Sequence, residues 1–203
     1  PDVAGLDEPA AFDDGEGDGA AGGEGLRHTT SLTSARARGR SCQTGPMPGE
    51  HSYAMRATWT GERGSGTSGY RDYDRSVTLE VEGKPALLGS ADAPFRGDPA
   101  RWNPEDMLLA SLVQCHLLSY LHACVTAGVV VTAYHDDATA TLVLDGTGGG
   151  AFREVVLHPV VTVAEEGMVD AAYAAHRQAN AWCFIANSVN FPVRHEATVR
   201  VAA

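Results

Sequence analysis

One stretch, residues 103–128, restricts the fold more than any other. It opens on Asn103, a preferred N-cap, followed by Pro104 at the first helical position and by Glu105 and Asp106, where the helix dipole favours negative charge. It closes on Gly128, which can take the left-handed conformation that ends helices. Between those marks Leu, Met, Val and Ala occupy most of the circumference, the pattern of a helix enclosed by a domain or a dimer rather than lying on a surface. Ser, Gln and His interrupt it too often for a membrane span. At about 100° per residue, Ser111, Cys115, Ser119, His122 and Thr126 form the one small or polar seam on this helix, so Cys115 is expected to face a crevice.

The first fifty of the 203 residues offer that helix little to pack against. Gly, Ala, Asp and Glu dominate up to Gly25, with eight acids and no Lys or Arg. So few large apolar residues cannot offset the entropy of ordering, and residues 1–50 are expected to be a disordered, acidic, Gly-rich extension ahead of a domain over 51–203. The extension lacks the apolar run of a secretory signal. Of the net charge of −11, nine acids and four bases place −5 in residues 1–50 and leave −6 for the rest. With no positive patch in the folded part, nucleic acid is not an expected partner. Cys42, Cys115, Cys124 and Cys183 are too few and too scattered for a disulfide scaffold and suit a cytosolic chain with working thiols.

In chain order, residues 52–60 and 70–81 read as two strands joined by a Gly-rich connection, and residues 83–102, punctuated by Pro and Gly, as an ordered loop that carries Arg96 and Arg101. After the helix, residues 129–144 and 152–163 read as a second hairpin around the Gly146–Gly150 turn. Residues 168–182 read as a second helix, with Val169, Ala172, Tyr173, His176 and Asn180 on one face, then a short helical turn, and residues 193–201 as a closing strand. Strands, helix, strands, helix and strand make an α+β fold, with sheets wrapped around two main helices.

Three pieces of this arrangement resemble the OsmC/Ohr family, the osmotically inducible and organic-hydroperoxide-resistance proteins. They are Asn103-Pro104-Glu105 opening the helix, Cys115 ten residues after that Glu, and a second cysteine after the next helix in Cys183-Phe184-Ile185-Ala186-Asn187-Ser188-Val189. Phe184 stands where the family usually has Pro, and His116 where an aromatic often follows the first cysteine, which marks a divergent branch. The resemblance implies an intertwined homodimer that reduces organic hydroperoxides, with Cys115 attacking and Cys183 resolving. It implies no bound metal, haem or flavin, and an external dithiol or small thiol as reductant. An Arg held by Glu105 would activate the attacking thiol; Arg96 occupies about the family's position, with Arg71 as the fallback.

The chemistry asks for such residues. A thiolate must attack the peroxide although a free cysteine ionises only near ~8.5, so a cation has to assist, and a guanidinium can fork between a carboxylate and a sulfur. Cys115 lies about 15 Å along the helix from Glu105, so if Glu105 steadies the Arg beside Cys115 the two belong to different chains of the dimer. Cys124, about 13.5 Å from Cys115 along the helix, is beyond disulfide reach. Leu118, Trp182, Phe184 and Phe191 are candidate walls for an alkyl chain. His116, His122, His158, His176 and His195 invite a metal reading, but no two of the ligand-type residues at 115, 116, 122 and 124 are three or four apart on the helix. The alternative from another class is a non-catalytic protein of the same fold that binds a small apolar ligand.

Overall fold

The computed structural model describes residues 49–203. The acidic extension expected over residues 1–50 lies outside them, apart from its last two positions, as does Cys42. Ala54–Ala203 form one compact unit. Its architecture is α+β: three three-stranded sheets and two long helices.

The first sheet joins β1 (Arg56–Trp59), β2 (Val77–Glu80) and β3 (Leu87–Gly89) in an antiparallel meander. β3 falls inside the stretch read as a loop. It forms because Trp102 pins that stretch at both ends, Trp102 N donating to Leu88 O and Ser90 N to Trp102 O. A 3-10 turn, Ala93–Phe95, follows, capped by the Asp92 side chain. The chain leaves it through Arg96, whose φ of 64° lies in the left-handed region. Gly97 comes next, where a Cβ would collide with the Ala91 carbonyl.

α1 (Pro104–Thr126) starts as its sequence dictates: the Asn103 side chain accepts from Asp106 N at 2.7 Å. It ends at Gly128, with a φ of 69°. By length and composition α1 could cross a membrane, yet Leu112, His116, Tyr120, Ala123 and Cys124 are buried inside the same chain. Its first half packs through Leu112 against Val155 and Leu157. Its second half packs through Tyr120, Ala123 and Cys124 against α2 and the strand bearing Val161 and Val163.

The hairpin expected after α1 is broken in two. β4 (Val131–Asp136) and β5 (Thr139–Leu144) replace one long strand, and β6 (Gly150–Leu157) and β7 (Pro159–Val163) replace the other. β5 pairs with β6, and β4 with β7, in separate sheets. The breaks face each other: the Asp136 carboxylate accepts from His158 N at 2.7 Å, and Pro159, having no N–H, cannot continue the ladder. The C-terminal strand divides the same way. β8 (Val193–His195) runs parallel to β6, and β9 (Thr198–Val201) parallel to β7.

α2 (Val169–Trp182) turns Ala172, Ala175, His176 and Ala179 into the core. The face read from the sequence is rotated slightly. Tyr173 is exposed, its hydroxyl accepting from Val199 N, and the small residues at 175 and 179 take the buried stripe because α1 comes close.

Candidate active site

Cys115 sits half-exposed on α1, and Cys183 caps the end of α2 with only 1% of its surface exposed. The two thiols are free, and the Cys115 side chain acts on Cys183. Burial, and then the Cys115 side chain, push the Cys183 thiol up to about 11, against a weaker opposing pull from Ala186 N, which donates to its sulfur at 3.4 Å. Cys183 therefore keeps its proton at neutral pH. Cys124, also buried and raised by burial, lies beside Tyr120 on the core side of α1 and takes no part in the pair.

A cavity of about 470 Å³ lies between α1 and the end of α2, lined by Leu118, Ser119, His122, Ala181, Trp182, Phe184 and Asn187; neither Cys115 nor Cys183 is among its lining residues. Three of the four expected walls are there. Phe191 is not among them: its ring packs on Phe152 at 5.6 Å, in the core around Leu112. Ser119 and His122 of the expected seam do face the cavity, whereas Ser111 and Thr126 turn their hydroxyls back to the carbonyls of Leu108 and Ala123.

The charged residues are placed otherwise. Arg96 is exposed and lines a polar cleft of about 270 Å³ with Asp74, Arg75, Ser76, Ser90 and Asp98. Arg71 is exposed in the connection between β1 and β2. Within one chain neither forms an ion pair with Glu105 among the described residues. Glu105 keeps Oε2 buried without a partner, and so does Arg101 its Nη1, although Arg101 Nε reaches Asp98 at 3.4 Å. An unpaired buried charge is costly, so these two atoms are the least satisfied charged groups near the start of α1.

The sequence reading missed Arg75. Its guanidinium stacks on Tyr70 and Tyr73, each at 4.3 Å, and donates to their carbonyls. The alternation of Tyr70, Tyr73 and Arg75 was the available signal. It also missed a cluster of His116, His176 and His195, which comes from three different elements and leaves no local spacing to read. Among the described residues no group of His, Cys, Asp or Glu is arranged to hold a metal ion.

The profile of the OsmC-like proteins matches residues 97–198, just over half of the 203 residues. The chain belongs to the OsmC-like family. A search of curated proteins found no significant match. Among solved structures, an OsmC-like protein of unknown function from Vibrio cholerae is 28% identical, with a TM-score of 0.65, covering 73% of this chain and 100% of its own. An organic hydroperoxide resistance protein from Elizabethkingia anophelis is similar at a TM-score of 0.56 and 16% identity, covering 77% of this chain and 100% of its own. An organic hydroperoxide resistance protein OsmC from Legionella pneumophila follows at a TM-score of 0.55 and 16% identity, covering 74% and 98%. At those identities the last two speak for the fold alone. The matched span of the OsmC-like domain includes Arg101, Glu105 and both cysteines of the pair.

Proposed function

We propose that this OsmC-like protein is a thiol-dependent peroxidase that reduces organic hydroperoxides to alcohols. The observation that carries the reading is a half-exposed Cys115 whose side chain acts on Cys183, a buried thiol that keeps its proton. The Cys115 thiolate attacks the terminal peroxide oxygen. The O–O bond breaks, the alkoxide takes up a proton and leaves as alcohol, and the sulfur, oxidised by two electrons, becomes a sulfenic acid. Cys183 displaces the hydroxyl as water and closes the disulfide. An external dithiol or small thiol then reduces the bridge, with no bound cofactor. A resolving thiol needs to meet only its partner sulfur, so the burial of Cys183 is compatible with this sequence.

The apolar cavity walls favour an alkyl or aryl hydroperoxide over hydrogen peroxide. Arg96, with Arg71 as fallback, and Glu105 activate Cys115 in this reading, which requires the cation or the carboxylate to come from a second copy. A homodimer also covers the exposed first sheet and the apolar residues α1 leaves in solvent. Such a protein works in the cytoplasm, where reducing dithiols are supplied. The names of the Elizabethkingia and Legionella proteins agree with this activity.

A second reading, a non-catalytic binder of a small apolar ligand, draws on the same cavity and on the sealed Cys183. Peroxide consumption with a dithiol donor separates them, comparing cumene hydroperoxide with hydrogen peroxide. Cys115→Ser is expected to abolish turnover, and Cys183→Ser to allow one sulfenate-forming event before inactivation. Unchanged turnover in Cys115→Ser would end the peroxidase reading.

A further inference from the structure

His116 follows Cys115 on α1, and His176 precedes Cys183 by two turns on the buried side of α2. Both imidazoles are fully buried, and His116 Nε2 lies 3.1 Å from His176 Nδ1. The ring planes are 3° apart and the centroids 5.4 Å apart. The excess of the centroid separation over the N···N distance is what two imidazole radii fill when both nitrogens lie on the line of centres. The contact is therefore a straight, in-plane N–H···N bond sharing one proton. Its lone pair points along that line into the N–H, which leaves the two nitrogens unable to converge on a metal.

α1 and α2 are thus joined by the imidazole pair and by the Tyr120 hydroxyl, which donates to the Ala172 carbonyl at 3.3 Å, with Cys115 and Cys183 acting on each other nearby; only the imidazole pair joins side chain to side chain. We propose that the His116–His176 hydrogen bond is a positioning contact, which fixes the rotation of α1 against α2 so that Cys115 meets Cys183. Helix packing alone sets this rotation weakly, because the facing stripe of α2 is mostly Ala, over which α1 can turn with little steric resistance. The bond has directional limits that alanine contacts lack. His176 Nε2 is buried without a partner. The tautomer in which His176 Nδ1–H donates to His116 leaves only a lone pair there, the cheaper of the two groups to bury.

The bond is also sensitive to acid. His195 of β8 lies 5.5 and 5.7 Å from the two rings, and Tyr120 of α1 stacks on His176 at 3.9 Å, with Tyr134 of β4 beyond it and Asp136 bonded to Tyr134. Arg177 of α2 acts on His195. Burial first, and then neighbouring imidazoles, hold His116 down to about 4 and His176 to about 3, and burial and Arg177 lower His195. In the unfolded chain these groups take up protons near ~6.5. The folded state loses nothing above that pH. Between ~6.5 and about 4 to 3 the unfolded state binds more protons, so stability falls as pH falls.

The inference rests on the dithiol reading, but its test uses no peroxide. The full-length protein is equilibrated with reduced and oxidised dithiothreitol at pH 7.5, and the fraction of Cys115–Cys183 disulfide is read by thiol alkylation and mass. His116→Gln and His176→Asn place an amide where the bonding nitrogen was, keeping a hydrogen bond without a titrating ring; His116→Leu and His176→Leu remove the bond. The Leu variants are expected to lower the disulfide equilibrium constant about fivefold or more, the worth of one buried hydrogen bond, and the Gln and Asn variants to stay within about twofold of wild type. Folded Leu variants with the wild-type constant would overturn the proposal, as would Gln and Asn variants displaced as far as Leu. If the Leu variants do not fold, the decision falls to the His116→Gln/His176→Asn double variant. It must keep the wild-type constant and flatten the loss of thermal stability between pH 7.5 and 5; failure in either overturns the proposal. A wild type inert to peroxide with this histidine dependence intact would remove only the peroxidase reading.

Discussion

α2 turns one stripe of small residues inward and leaves Asp170, Arg177 and Gln178 in water, as an amphipathic helix at the edge of a domain should. α1 packs against it through the same core yet leaves Leu118, Leu121 and Val125 in solvent, Val125 with 76% of its surface exposed. The buried atoms of Glu105 and Arg101 at its other end also lack partners. α2 leaves Tyr173 and Trp182 partly in solvent as well, but the more exposed apolar side chains, Leu118 and Val125, are on α1. If a second copy packs on this protein, the difference points to α1. The most exposed apolar residues, the unpaired Glu105 oxygen and the half-exposed Cys115 all lie along that one helix.

The sharpest way to break the comparison is to charge the two helices in turn. Val125→Glu on α1 is expected to weaken self-association by at least about 100-fold in Kd, since it would leave an unpaired carboxylate in an apolar interface, a cost of roughly 3 kcal/mol or more. Gln178→Glu on α2 should leave the assembly unchanged. Sedimentation equilibrium of both variants reads the effect, and equal dissociation constants would remove the distinction between the helices.

A second contrast concerns the contacts each helix makes inside one chain. Leu112→Ala deletes the side chain that α1 buries completely against Val155 and Leu157, and is expected to cost about 3 kcal/mol in urea unfolding. Ala172→Leu on α2 inserts bulk where the Tyr120 hydroxyl donates to the Ala172 carbonyl, and overpacking there should cost about 1–3 kcal/mol. A Leu112→Ala variant as stable as wild type would mean that this part of the core relaxes into the cavity, and that α1 is held chiefly by its α2 side.

How much of this was legible in the sequence depended on whether the signal was local. Asn103 to Gly128 named both ends of α1 because caps act within one turn, and the seam placed Ser119 and His122 on the cavity because helical phase is fixed by spacing, though Cys115 itself is not among the lining residues. The breaks at Asp136 and Pro159 are not legible in the strand pattern, which continues across them; the bond from His158 N to Asp136 turns the chain there. The histidine cluster and the Phe152–Phe191 contact join residues far apart in the chain, which no periodicity encodes. The pairing of Cys115 with Cys183 came from the family resemblance. The place of Arg96 was the least legible, since a left-handed turn between Phe95 and Gly97 decides where that side chain points.

The smallest effect bears on that arginine. Arg96 is the one non-glycine residue with positive φ among those described, and an L side chain there is strained by about 1 kcal/mol. Arg96→Gly should relieve the strain and raise the melting temperature by roughly 2–4 °C. Arg101→Gly, which has no such strain to relieve and loses its pairing with Asp98, should not raise it. If Arg96 activates Cys115, Arg96→Gly also lowers peroxide consumption at least tenfold, about 1.4 kcal/mol of transition-state stabilisation, so stability and activity move in opposite directions. A protein that becomes more stable and keeps its activity would exclude Arg96. The activating role would then pass to Arg101, whose buried Nη1 is already without a partner next to the start of α1.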